Sequence, residues 1–148
     1  MRVQPSGGSA VERPRRPRKQ AAAEERRAPA QPPLPPALES LFDLIAEPVL
    51  RLEAAPGGPL TLREIGLLLG DVLDWLDEDQ TILQAADRLY DVAFALQDAR
   101  QRRSTCAGIT DRTLKARADA VPVALAAFRA SLSTAKPNAR ARARCLTW

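Results

Sequence analysis

The sequence contains no histidine, only two cysteines and three lysines, and just two Trp, one Tyr and three Phe in 148 residues. Each shortage closes off a class of answer. Without histidine, and with Cys106 and Cys145 far apart, no zinc site of the usual Cys/His spacing can be written. Nor can a Ser-His-Asp or Cys-His nucleophile be assembled. No P-loop, dinucleotide fingerprint or calcium loop occurs, so no cofactor is expected and the chain reads as non-enzymatic. The first residues, MRVQPSGGSAVERPRRPRKQ, lack the apolar core of a signal peptide. No run approaches the roughly 20 apolar residues of a bilayer span. The expectation is an intracellular chain without a membrane contact, its cysteines reduced.

What is present is apolar but hardly aromatic: 45% of residues are hydrophobic and 4% are aromatic. A core must therefore be built from Leu, Val and Ala, which suits packed helices better than a sheet. The preference for Arg, Ala and Pro is the mark of GC-rich coding, as in a high-GC bacterium, a GC-rich DNA virus or an overprinted viral frame. The net charge of +4 hides a segregation. Residues 1–36 carry eight basic and three acidic groups, residues 37–103 six and thirteen, and residues 104–148 eight and two. Basic flanks attract polyanions, while an acidic centre repels them or attracts the flanks of another copy.

The clearest element is Thr61 to Leu76, TLREIGLLLGDVLDWL. Leu62, Ile65, Leu69, Val72 and Leu76 recur every three or four residues and define one helical face. Thr61 and Glu64 have the spacing of a capping box, and Leu60 with Ile65 that of a hydrophobic staple. Gly66 and Gly70 lie inside this helix, each costing about 1 kcal/mol relative to Ala, which argues for close approach of another helix. The set Leu62, Ile65, Gly66, Leu69, Gly70, Val72 and Leu76 is thus a candidate helix interface for self-association.

Before it, Leu38, Leu41, Phe42, Ile45, Val49 and Leu52 predict a helix opening at Pro36, kinked or split at Pro48. Pro56-Gly57-Gly58-Pro59 breaks the chain. After it, Asp77 or Asp79 is expected to cap a helix through Ile82, Ala86, Leu89, Ala93 and Leu96 to about Arg102. The short link makes these two helices an antiparallel hairpin. Thr110 is a plausible cap for a fourth helix through Leu114, Val121, Leu125, Phe128 and Leu132, again with an internal proline, Pro122. The fold class is all-α: a three- or four-helix bundle over about residues 37–133. A Pro/Arg-rich tail (1–36) and a basic tail (134–148) flank it, both expected to be disordered.

The basic segments hold the remaining candidates. Arg13, Arg15, Arg16, Arg18 and Lys19, within RPRRPRK, have the composition of a nuclear-import signal read by an import receptor, or of a phosphate anchor. Arg26, Pro29 and Pro32 fit an R-x-x-P-x-x-P spacing, and Pro32 to Pro35 a WW-type ligand, although a linker accounts for the same run. Arg140, Arg142 and Arg144 alternate with Ala and are candidates for contacting nucleic-acid phosphates with little sequence preference. The acidic cluster Asp71–Asp79 reads as caps and solvated surface ahead of a metal site.

Leu62, Leu69, Gly70, Asp71, Leu73 and Asp74 fall at a spacing that resembles the short death-promoting helix which binds the groove of anti-apoptotic proteins. The resemblance covers about a dozen residues and departs at Gly66, where that motif carries a large apolar anchor. It would imply a helix-in-groove contact with such a partner. From the residues themselves, the leading expectation is a regulatory or accessory helical protein that self-associates and binds nucleic acid through its basic tails. The alternative is an adaptor that docks on a host or client protein through an apolar helix face, its basic tails directing it to the nucleus.

Overall fold

A computed structural model of the chain describes residues 33–56, 58–105 and 108–144, and among them five helices and no strand. They are α1 (Pro36–Ala54), α2 (Pro59–Leu73), α3 (Gln80–Thr105), α4 (Asp111–Leu132) and a short α5 (Ala139–Ala143). The all-α bundle read from the sequence is what forms. Arg13, Arg15, Arg16, Arg18, Lys19, Arg26, Pro29, Pro32 and both cysteines, singled out in the sequence, lie outside the described residues.

Helix α1 begins where proline is preorganised for the first turn, with Pro36 at its start. Leu38, Phe42, Ile45, Val49 and Leu52 all turn inward. Of the kink or split expected at Pro48, the split does not occur, because one helix runs through it. Pro48 is fully buried, so its ring adds apolar burial to offset the missing donor. The carbonyl it leaves without its usual helical donor belongs to Leu44. Leu34, inside the Pro-rich run, also packs into the core, so this leucine is not offered to an aromatic groove.

Helix α2 starts two residues earlier than its sequence suggests. Gly58 is the N-cap, Pro59 opens the helix, and no side chain caps it. The Thr61 amide donates to Gly58 O at 3.0 Å, so the Thr61–Glu64 capping box does not form. Leu60 is 76% exposed, so the staple is absent too. The physical reason is Pro59: its fixed φ favours the first helical position and draws the start upstream of Thr61.

Asp79 opens α3 as expected, its carboxylate accepting from the Thr81 amide at 2.8 Å and the Ile82 amide at 3.4 Å. Thr110 caps α4, accepting from the Thr113 amide at 3.2 Å. Helix α4 is continuous through Pro122, which faces solvent. Phe128, Leu38, Ile45, Leu89 and Leu96 are among the fully buried side chains of one core drawn from α1 to α4. Helix α3 packs on α4, and α1 touches α2, α3 and α4. Among the described helices, α2 packs on α1 and α3 and not on α4.

Two cross-links hold this arrangement. Arg100, near the end of α3, donates to the carbonyls of Leu52, Glu53 (2.7 Å) and Ala55 (2.9 Å), closing the C-terminal end of α1. A cation there also meets the negative end of the helix dipole. Arg129 on α4 pairs with Glu39 in the first turn of α1.

Candidate functional site

The candidate interface residues Ile65, Leu69, Val72 and Leu76 are buried and Leu62 is half-buried, so this stripe is spent on the chain's own core. Leu76 lies beyond the end of α2 and is held by a bridge to Pro137 rather than by helix. The two glycines divide. Gly66 lies under Tyr90 of α3, where an added Cβ would stand 3.3 Å from the ring edge; Gly70 would meet nothing within 4 Å. Close approach within the fold therefore explains Gly66 and leaves Gly70 unexplained.

The opposite face of α2 is the more informative one. Leu60, Arg63, Glu64, Leu67, Gly70, Asp71 and Asp74 are all exposed. At 3.6 residues per turn they fall within about 60° on either side of Leu67. Leu67 is 60% exposed, and on α3 Phe94 is 53% and Tyr90 36% exposed. Helices α2 and α3 run antiparallel, as the facing of Gly66 with Tyr90 and of Leu62 with Phe94 requires. Between them lie two shallow hollows. One of about 510 Å³ is floored by Gly66, Gly70 and Ala86 and edged by Asp87 and Asp91; one of about 490 Å³ is lined by Leu62, Arg63, Tyr90 and Phe94.

Tyr90 and Phe94 were legible only indirectly. Each follows a buried position of α3, Leu89 and Ala93, and so stands off the inward stripe. Large aromatic residues displaced from a helix's buried face, in a chain with so few of them, are the signal.

The basic C-terminal candidates are placed by a second set of contacts. Beyond Thr134 the chain returns along the end of α2: the Asp77 amide donates to Lys136 O at 2.8 Å and the Asn138 amide to Trp75 O at 3.0 Å. The Asn138 side-chain amide donates to the carbonyls of Asp74 (2.7 Å) and Leu76 (3.3 Å), while its oxygen accepts from the Ala141 amide at 2.9 Å and so caps α5. Ala141 is fully buried. Ordered structure thus continues to residue 144, past the boundary near 133 read from composition.

In α5 the three arginines do not share a side. Arg140 and Arg144 both lie over the Trp75 ring, at 5.5 and 5.3 Å from its centroid, and Arg142 donates to Pro137 O at 2.9 Å. All three remain exposed, and none pairs with a carboxylate among the described residues. Their position answers a question of charge. The last turn of α2 carries no basic residue and is crowded with aspartates, the wrong sign for a helix C-terminus. The docked segment brings cations and an amide donor to that end.

The residues that resemble a death-promoting helix are split between the two faces. Leu69 is buried and Leu73 half-buried, whereas Gly70, Asp71 and Asp74 are exposed, so the apolar anchors of such a motif point into the bundle. Among the described residues no three acidic or sulfur-bearing side chains converge as metal ligands, and no helix is long and apolar enough to cross a membrane. Comparison with protein-family models, curated proteins and solved structures yields no match.

Proposed function

We propose that this chain is a non-enzymatic protein-docking module, whose α2–α3 face receives an amphipathic helix from another polypeptide. The observation that carries the reading is the pair of shallow hollows between α2 and α3, one floored by Gly66 and Gly70 and edged by Tyr90, the other lined by Leu62, Tyr90 and Phe94, with Leu67 exposed on the adjoining face of α2. Aromatic side chains beside small residues provide the anchors and the close backbone approach that helix-in-groove recognition uses. Among the described helices α2 packs on α1 and α3, and its exposed side is offered for that contact. The role is regulatory or accessory in this reading. A basic segment such as Arg13–Lys19 serves as its address, nuclear in a eukaryotic cell.

The test is capture from nuclease-treated lysate. Wild-type protein retains polypeptide partners there, and Leu67→Asp with Phe94→Asp releases them while the helical circular dichroism stays unchanged. Retention by the double variant would remove the docking reading.

A second reading keeps the same bundle and adds charge-driven nucleic-acid binding at Lys136, Arg140, Arg142 and Arg144. It is supported by the exposure of these side chains and by the docking of α5, which carries Arg140 and Arg142 and ends at Arg144 as its C-cap. Partners captured only from untreated lysate would favour it.

A further inference from the structure

The exposed face of α2 is complementary to itself. Arg63 and Asp71 stand four residues either side of Leu67, and neither forms an ion pair among the described residues. Rotating one α2 by half a turn about an axis through Leu67 sets it antiparallel on another. Leu67 then meets Leu67, and Arg63 of each copy meets Asp71 of the other. Glu64 meets the open surface above Gly70, where no atom of the same chain comes within 4 Å of an added Cβ. Leu60 and Asp74, seven residues out, lie at the ends of the contact. A parallel arrangement would oppose Arg63 to Arg63 and Asp71 to Asp71, which like-charge repulsion disfavours.

Resting on the docking reading above, we infer that the helix received at this face is α2 of a second copy, in an isologous antiparallel pair centred on Leu67. Three independent features of the face agree with that occupant. Leu67, which meets its own copy at the axis, is 60% exposed. The charges are arranged so that a two-fold axis brings opposite signs together, as a self-complementary patch must. Gly70 gives up helix propensity with no return inside the fold, yet in the pair its missing side chain lets the backbones approach. Arg63, at one edge of this face, also lines a hollow with Tyr90 and Phe94 of α3.

The experiment uses the full chain, nuclease-treated, in sedimentation velocity or light scattering over a concentration series. Wild type is expected to pass from monomer to dimer. Arg63→Asp alone brings carboxylates face to face at two symmetric contacts and Asp71→Arg alone does the same with guanidinium groups; each is expected to weaken dimerisation about tenfold or more. The double exchange, Arg63→Asp with Asp71→Arg, is expected to restore it to within a few-fold of wild type. Mixing the two single variants is expected to give a heterodimer, because every contact in the mixed pair is again opposite in sign. These residues are exposed, so circular dichroism should be unchanged throughout.

A wild type that stays monomeric, single reversals without effect, or a double exchange that fails to restore association each overturns the pairing. Should the monomeric chain still lose captured partners on Leu67→Asp with Phe94→Asp, the docking reading stands and only the second copy is excluded.

Discussion

Nη2 of Arg129 donates to both carboxylate oxygens of Glu39 at 2.8 Å, joining α4 to the first turn of α1 across 90 positions of sequence. The Arg129 guanidinium also lies 5.7 Å from the centre of the Phe42 ring. The arginine side chain is only 18% exposed and the glutamate 38%, so this pair is less solvated than the other ion pairs of the bundle.

Removing one member of such a pair loses charge-assisted hydrogen bonds made in partly desolvated surroundings. Glu39→Ala is expected to lower unfolding free energy by about 1–2 kcal/mol, since hydrogen bonds to charged groups are worth more than neutral ones. A double-mutant cycle with Arg129→Ala measures the coupling by urea denaturation. Additive losses would mean that the pair contributes nothing beyond its separate side chains.

Asn138 secures the C-terminal segment with hydrogen bonds in two directions. Asn138→Ala removes the cap of α5 and two donors to the end of α2 at once, at a cost of about 1–2 kcal/mol. Hydrogen exchange of the amides of residues 140–144 should quicken markedly while the amides of α4 keep their protection. Unchanged exchange there would show that Ala141 burial alone holds the segment.

The two glycines of α2 are expected to respond differently. Gly70→Ala restores helix propensity into open space and should stabilise the domain by about 0.5–1 kcal/mol, seen as a higher Tm. Gly66→Leu forces the Tyr90 ring to move and should not share that gain. A stabilised Gly66→Leu would mean that Tyr90 yields freely.

Nucleic-acid binding, if it runs through α5, carries a salt signature. Changing Arg140, Arg142 and Arg144 to Ala together should flatten the slope of log affinity against log salt by roughly two units, because each lost phosphate contact removes about 0.7 to 0.9. The reading predicts little dependence on base sequence, since Trp75 is already covered by two guanidinium groups. A slope that does not move would take the phosphate contact away from this helix.

The legibility of the chain differed sharply between buried stripes and ends. Leu38, Ile45, Ile65, Leu89 and Leu125 could be assigned to inward faces from their spacing alone, and all are buried. Caps within one segment, Asp79 and Thr110, were equally readable, because the donor and acceptor lie two or three residues apart. The Thr61–Glu64 box failed because a competing local signal, Pro59, lay just upstream. Pro48 misled for the opposite reason: its local penalty was visible and the burial that offsets it was not.

The candidate site was harder to see. Arg140, Arg142 and Arg144 were evident as charge, but their partition between Trp75 and Pro137 depends on a return of the chain that composition does not encode. Gly66 and Gly70 looked equivalent in sequence and are distinguished only by where Tyr90 lies.

The sequence by itself determined the helical class, the inward stripes and the local caps, because these depend on period and on neighbours within one turn. Only the tertiary structure decided that Arg100 closes α1, that Arg129 meets Glu39, and that Asn138 anchors the chain beyond Thr134 to the end of α2. It also decided which side of α2 stays open. Those outcomes join residues tens of positions apart, and such pairings are set by how whole helices pack, which no window of sequence contains.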